Sequence, residues 1–92
     1  MEALDDLFVQ ILRRGPSQGT LFLVLRKMKE DGRSSEVIQE CLRALSIYQD
    51  DIRLRSLLAE SYLENGYIEQ AEAELGKVTS MIDDLSSAYK LQ

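Results

Sequence analysis

Few side chains in this 92-residue sequence have the reactivity to make or break a covalent bond. Cys41 is the only thiol, and a thiolate forms at neutral pH only beside a cation or an activating base. The sequence has no histidine, which removes Ser-His and Cys-His pairs and every imidazole metal ligand. One cysteine is also too few for a structural zinc site or an internal disulfide, and Cys41 falls on an apolar helix face, where packing accounts for it. The acid pairs Asp5-Asp6, Asp50-Asp51 and Asp83-Asp84 have the residue type of paired catalytic carboxylates. Each lies at an expected helix start or on an exposed face, where capping of free amides explains an acid. The segment DGRSSE, Asp31 to Glu36, lacks the lysine and the spacing of a phosphate-binding loop. The sequence is expected to be no enzyme, with no cofactor and no metal.

What remains is surface recognition, and that depends on the elements that carry the surface. A hydrophobic fraction of 45% suffices for one small core, so a single domain over residues 1–92 is expected. No apolar run approaches the roughly 20 residues of a membrane span. The start, MEALDDLFVQILRRG, places acid before a short apolar patch, the reverse of a secretory signal. A soluble, cytoplasmic protein is expected. The net charge of −5 is uneven, with −1 over residues 18–51 and −4 over residues 52–85. An acidic chain of this kind is a poor general binder of nucleic acid, despite the short basic cluster RKMK at Arg26 to Lys29.

Apolar residues recur at helical three-and-four spacing throughout, and no stretch alternates like a strand. The first helix is expected from about Ala3 to Arg14, with Leu4, Leu7, Phe8 and Ile11 on its inner face; Gly15 and Pro16 end it. The second is expected over Gln18 to Glu30, carrying Leu21, Val24, Leu25 and Met28 inward and closed by Gly32. Ser34 or Ser35 is expected to cap a third helix that runs to about Ile47, and Asp50 or Asp51 a fourth that holds Arg55 to Leu63. Gly66 separates this from a fifth, Ile68 to Met81, with Ile68, Ala71, Leu75 and Val78 inward. Asp83-Asp84 is expected to open a further helical start to Gln92. Short connections make neighbouring helices antiparallel.

Shifting the chain on itself by 34 residues places Gly32 on Gly66. The same step aligns Val24, Leu25 and Met28 with Leu58, Ala59 and Tyr62, and Val37, Cys41 and Ala44 with Ala71, Leu75 and Val78. A fixed period in this range is the signature of a stacked helical-repeat array. Two units follow, residues 18–51 and 52–85, with residues 1–16 as an N-terminal helix that is half a repeat or a cap. Residues 86–92 would start a third repeat or a capping helix. The chain is expected to be part of a longer array.

Both units resemble the tetratricopeptide repeat, a helix–turn–helix unit of 34 residues. The second matches with Leu58, Ala59, Tyr62, Gly66, Ala71 and Leu75. The first departs from the pattern, with Leu25, Met28 and Val37 where the family has a small residue, tyrosine and alanine, and the terminal proline is absent from both. The resemblance implies an all-α fold of stacked antiparallel helical hairpins wound into a right-handed superhelical solenoid. It also implies a protein–protein interaction scaffold that binds a peptide or a helix in a concave groove. The family's groove positions carry over to Phe22, Arg26, Lys29 and Glu30 in the first unit, and to Arg53, Ser56, Glu60, Leu63 and Glu64 in the second. The groove is expected to be basic at one end (Arg26, Lys29, Arg53) and acidic at the other (Glu60, Glu64). The family's clamp for chaperone tails is absent, since its lysine and asparagine positions hold Phe22, Ser56, Arg26 and Glu60. Two other roles are open at the level of sequence: self-assembly through exposed repeat ends, as a homo-oligomer, and a regulatory segment of a larger catalytic protein.

Overall fold

In the computed structural model, the backbone is described for residues 2–90 and the side chains for residues 7–84. Five helices follow one another: α1 (Glu2–Arg13), α2 (Gln18–Glu30), α3 (Ser34–Leu45), α4 (Ile52–Glu64) and α5 (Ile68–Lys90). The described residues contain no strand, so the all-α class holds.

The turns explain how consecutive helices fold back. Gly32 and Gly66 take φ of +87° and +81°, a left-handed conformation that costs glycine nothing. At the first turn the Gly32 amide donates to the Lys29 carbonyl at 3.0 Å and the Arg33 amide to the Met28 carbonyl at 2.9 Å. One period later the Gly66 amide donates to Leu63 at 3.1 Å and the Tyr67 amide to Tyr62 at 2.9 Å. The same pair of reversed bonds, a Schellman closure, thus satisfies the last carbonyls of α2 and of α4. The second turn adds an edge-to-face contact of Tyr62 with Tyr67, ring centres 6.1 Å apart. Asn65 joins the two turns, its side-chain amide donating to the Ser34 hydroxyl at 2.9 Å.

The helix starts divide between expectation and correction. Asp51 caps α4, accepting from the Leu54 amide at 3.0 Å, and it also accepts from the Gln18 side chain. Neither Ser34 nor Ser35 caps α3: Arg33 is the N-cap residue, without a side-chain capping bond. Its amide is already bound in the preceding turn, so the helix resumes at once, and the negative charge near its start comes from Glu36. Arg33 forks onto Glu36 at 2.8 and 2.6 Å and lies over the Phe8 ring at 5.3 Å, which ties α1 to the start of α3.

The core forms where Phe8, Leu25, Met28, Val37, Ile38, Cys41, Leu54, Leu57 and Leu58 meet. Ala59 and Ala71 are fully buried, as expected where two helices approach closely. Three features of the expected pattern are corrected. On α1, Phe8 faces inward as expected, but Leu7 is exposed and Leu12 packs against the core in its place; Leu4 lies outside the described side chains. On α5, Leu75 and Ile68 are exposed, and Glu74 is buried between Ala71 and Val78. The inward face of α5 is therefore rotated from the expected one. The cause is that α5 packs on α4 alone among the described residues, whereas α3 lies between α2 and α4. Glu74 is held by Arg55 at 3.1 Å and by Lys77 at 3.0 Å, so its burial leaves no unpaired charge.

The last correction concerns Asp83 and Asp84. They open no new helix; α5 runs through them to Lys90. Nothing between Met81 and Leu85 is glycine or proline, so no residue there stops the helix, and acids at mid-helix simply stay in solvent.

Candidate functional site

The residues assigned to a groove come from α2 and α4, which touch directly although α3 separates them in sequence. Helical spacing brings one residue from each turn of α2 and of α4 onto the surface between them. A cavity of about 460 Å³ lies there, lined by Phe22, Arg26, Lys29, Glu30, Arg53, Ser56 and Glu60, with Ile52 and Leu57 as its other walls. Seven of the nine groove residues therefore share one cavity. Leu63 and Glu64, a turn further along α4, do not line it; Leu63 is exposed and Glu64 reaches back to Lys29.

The floor and rim have distinct chemistry. Phe22 is half-buried against the core, and the Arg53 guanidinium stacks on its ring, 4.8 Å from the centre. This contact crosses from α4 to α2 and leaves a planar cation over an apolar surface. Arg26 is largely exposed and reaches Glu30 at 3.5 Å. Ser56 adds a hydroxyl to the lining.

The expected division into a basic and an acidic end is corrected by the pairing. Lys29 contacts both Glu64, at 2.8 Å, and Glu60, at 3.4 Å. The hydrogen bond that Lys29 donates to Glu64 is the largest cause that holds its ammonium above the usual pKa. Its positive charge is thus neutralised within the groove, and the acids are drawn across to the α2 side. The cations left least committed are Arg26 and Arg53, whose contacts are the exposed Glu30 pair and a long 3.9 Å approach to Asp51. The resemblance assigned these side chains to one surface but carried no pairing, because a lysine reaches a turn in either direction along a facing helix.

The reactive groups considered first have other places. Cys41 is wholly buried, and burial pushes its thiol up to about 12, so it stays protonated and inert. Asp51 is a helix cap, Asp83 and Asp84 are exposed mid-helix residues, and Asp5-Asp6 lies outside the described side chains. Among the described residues no three acids or thiols stand close enough to hold a metal, and no helix is long and apolar enough to cross a membrane. The buried pair Arg55–Glu74 was not legible in advance, since each residue reads as an ordinary surface charge by itself. A second cavity, of about 430 Å³, lies between the end of α1 and α3, with Val9, Leu12, Pro16, Ile47 and Tyr48 among its walls. It shares no residue with the groove.

No protein-family model matches the chain, and neither a curated protein nor a solved structure is similar to it at a significant level.

Proposed function

We propose that the chain is a tetratricopeptide-like pair of repeats, stacked as a right-handed superhelical segment, that acts as a cytoplasmic protein–protein interaction scaffold. Its working surface is the groove between α2 and α4, and its ligand is a peptide or helix with an apolar anchor. The observation that carries this reading is the cavity itself, into which Phe22, Arg26, Arg53 and Ser56 converge from two different helices. An apolar side chain seated beside Phe22 would be shielded from water, and most of the affinity of such contacts comes from a small buried centre. Arg26 and Arg53 would orient the ligand through its carboxylates or carbonyls. The repeated glycine closures at Gly32 and Gly66 support the repeat reading, because they set the two hairpins with the same backbone geometry.

The test is selection from a randomised peptide library displayed on phage, followed by affinity measurement with the selected peptides. Ser56→Trp fills the cavity without changing charge, and Arg26→Glu with Arg53→Glu reverses its cationic rim. Both variants should retain the helical circular dichroism of the parent and lose the selected peptides. A change on the opposite side, Gln39→Glu on exposed α3 surface, should leave binding intact. Peptides that bind Ser56→Trp as well as the parent would place the working surface elsewhere.

A further inference from the structure

The outer face of α5 carries apolar residues at strict seven-residue intervals: Ile68, Leu75 and Ile82, which are 51%, 44% and 47% exposed. Helical spacing puts the three in one line of about 21 Å, beside the Ala71–Glu74–Val78 face that packs on α4. One apolar residue per heptad supplies one row of the two-row seam by which helices pair; the neighbouring row, Ala71 and Val78, is buried against α4. The same chain shows what covers such a line. Cys41 stands one period before Leu75 and is 0% exposed, because α4 lies over α3. No described element lies over α5 in that way.

The charge beside this line states what kind of helix fits it. Glu69, Glu72 and Asp83 follow the edge of the line away from α4, and all three are exposed without a base paired to them among the described residues. The nearest base, Lys77, points to the other side and is committed to Glu74 at 3.0 Å. Glu72 is the most telling of them. One period earlier stands Ile38, which is 6% exposed beneath its neighbours. A cover that matched α4 would press apolar side chains onto the Glu72 carboxylate and bury it unpaired, which is costly. The occupant must bring positive charge to that edge.

A second copy of the chain does not. Two α5 faces joined antiparallel about Leu75 would match Ile68 with Ile82 across the axis. They would also bring the two acidic edges together, since like edges meet in an antiparallel pair.

We propose that the outer face of α5 docks a basic amphipathic helix from another protein. The occupant's apolar residues, at three-and-four spacing, cover Ile68, Leu75 and Ile82, and its lysines or arginines run along Glu69, Glu72 and Asp83. The site is on a different face from the α2–α4 groove, and stands whether or not that groove binds a ligand.

The experiment uses the full chain and two labelled synthetic peptides, each about three heptads long with leucine at the a and d positions. One carries lysine at e and g, the other glutamate. Fluorescence anisotropy should show the lysine peptide binding at least ~10-fold more tightly than the glutamate peptide, and weakening as salt is raised. Leu75→Glu should abolish binding at an unchanged melting temperature, because that side chain is already in solvent. The triple change Glu69→Lys, Glu72→Lys, Asp83→Lys should reverse the preference, and Ser56→Trp in the groove should have no effect. Equal binding of the two peptides, no binding of either, or binding that survives Leu75→Glu would overturn the proposal. So would a dimer of the unliganded chain in sedimentation equilibrium that Leu75→Glu dissociates, which would assign the face to a second copy.

Discussion

Replacing Gly66 by alanine isolates a backbone cost from every other effect. A Cβ at this position meets no atom within 4 Å, so no packing is disturbed, and the whole penalty comes from holding φ at +81°. For an L-residue with a side chain that conformation costs ~1–2 kcal/mol. The substitution also stiffens the unfolded chain, which returns ~0.4–1 kcal/mol. The net loss should be about 1 kcal/mol, and Gly32→Ala, at φ +87° with the same open surroundings, should cost the same. Gly76 supplies the control. It lies inside α5, again with nothing near its missing Cβ, so Gly76→Ala should stabilise by about 1 kcal/mol through helix propensity alone. Urea titration followed by circular dichroism at the helical band gives all three, with thermal midpoints moving by ~4–8 °C per kcal/mol for a domain of this size. If Gly66→Ala were stabilising to the same degree as Gly76→Ala, residue 66 would be helical and the reasoning about the turn would be wrong.

Two further predictions concern buried groups. Glu74→Ala should destabilise by about 2 kcal/mol, as expected for a part-buried charge-assisted hydrogen bond, because Arg55 keeps its bond to the Gln49 carbonyl; a loss under ~1 kcal/mol in the same urea assay would show the pair to be solvated. Cys41 should make stability fall with rising pH. Its thiol is pushed from 9.0 up to about 12 in the folded chain, so above pH ~9 the native state holds a proton that the unfolded state has released, and stability drops by up to ~1.4 kcal/mol per pH unit. Lys29 and Tyr62, also raised, remain in a Cys41→Ala variant, so the difference in slope between parent and variant over pH ~8–10 isolates the thiol. Identical slopes would refute its burial.

The features legible in the sequence are those that one residue type decides locally. Gly32 and Gly66 announced their turns because a left-handed residue is needed to close a helix and fold back. Asp51 announced its cap because a short acid before an apolar periodic run has an amide to receive. The burial of Leu25, Met28 and Ala71 followed from spacing, and that of Leu58 and Ala59 from the 34-residue alignment. The misreadings all depend on what lies across from a residue. Leu75 is as apolar as Leu58, but among the described residues no helix lies over it, and Glu74 turns inward in its place. Arg33 displaced two serines as the α3 cap because its amide was already spent in the preceding turn, a fact of backbone bonding that side-chain preference does not carry. Lys29, Glu60 and Glu64 were assigned to one surface by the resemblance, but their mutual neutralisation needed the distance between two helices. The α5 helix outran its expected end because a helix continues wherever nothing in the sequence interrupts it.

Among the described residues each helix touches its sequence neighbours, and the helix pair that skips one in sequence and still packs backbone to backbone is α2 with α4. That arrangement sets how the protein is expected to assemble in time. Low contact order places such a domain among the fast folders, on the microsecond-to-millisecond scale. The α4–α5 hairpin makes the most extensive helix contact and carries its own part-buried ion pair, so it is the natural nucleus. The α2 helix must then search a loop long enough to bring Gln18 to Asp51, 33 residues apart, before the groove exists at all. The α1 helix, which makes the fewest helix contacts among the described residues, joins last and leaves first. Amide exchange should therefore be slowest in α4, and a binding surface shared by α2 and α4 is the product of the late step, present only when both hairpins are in place.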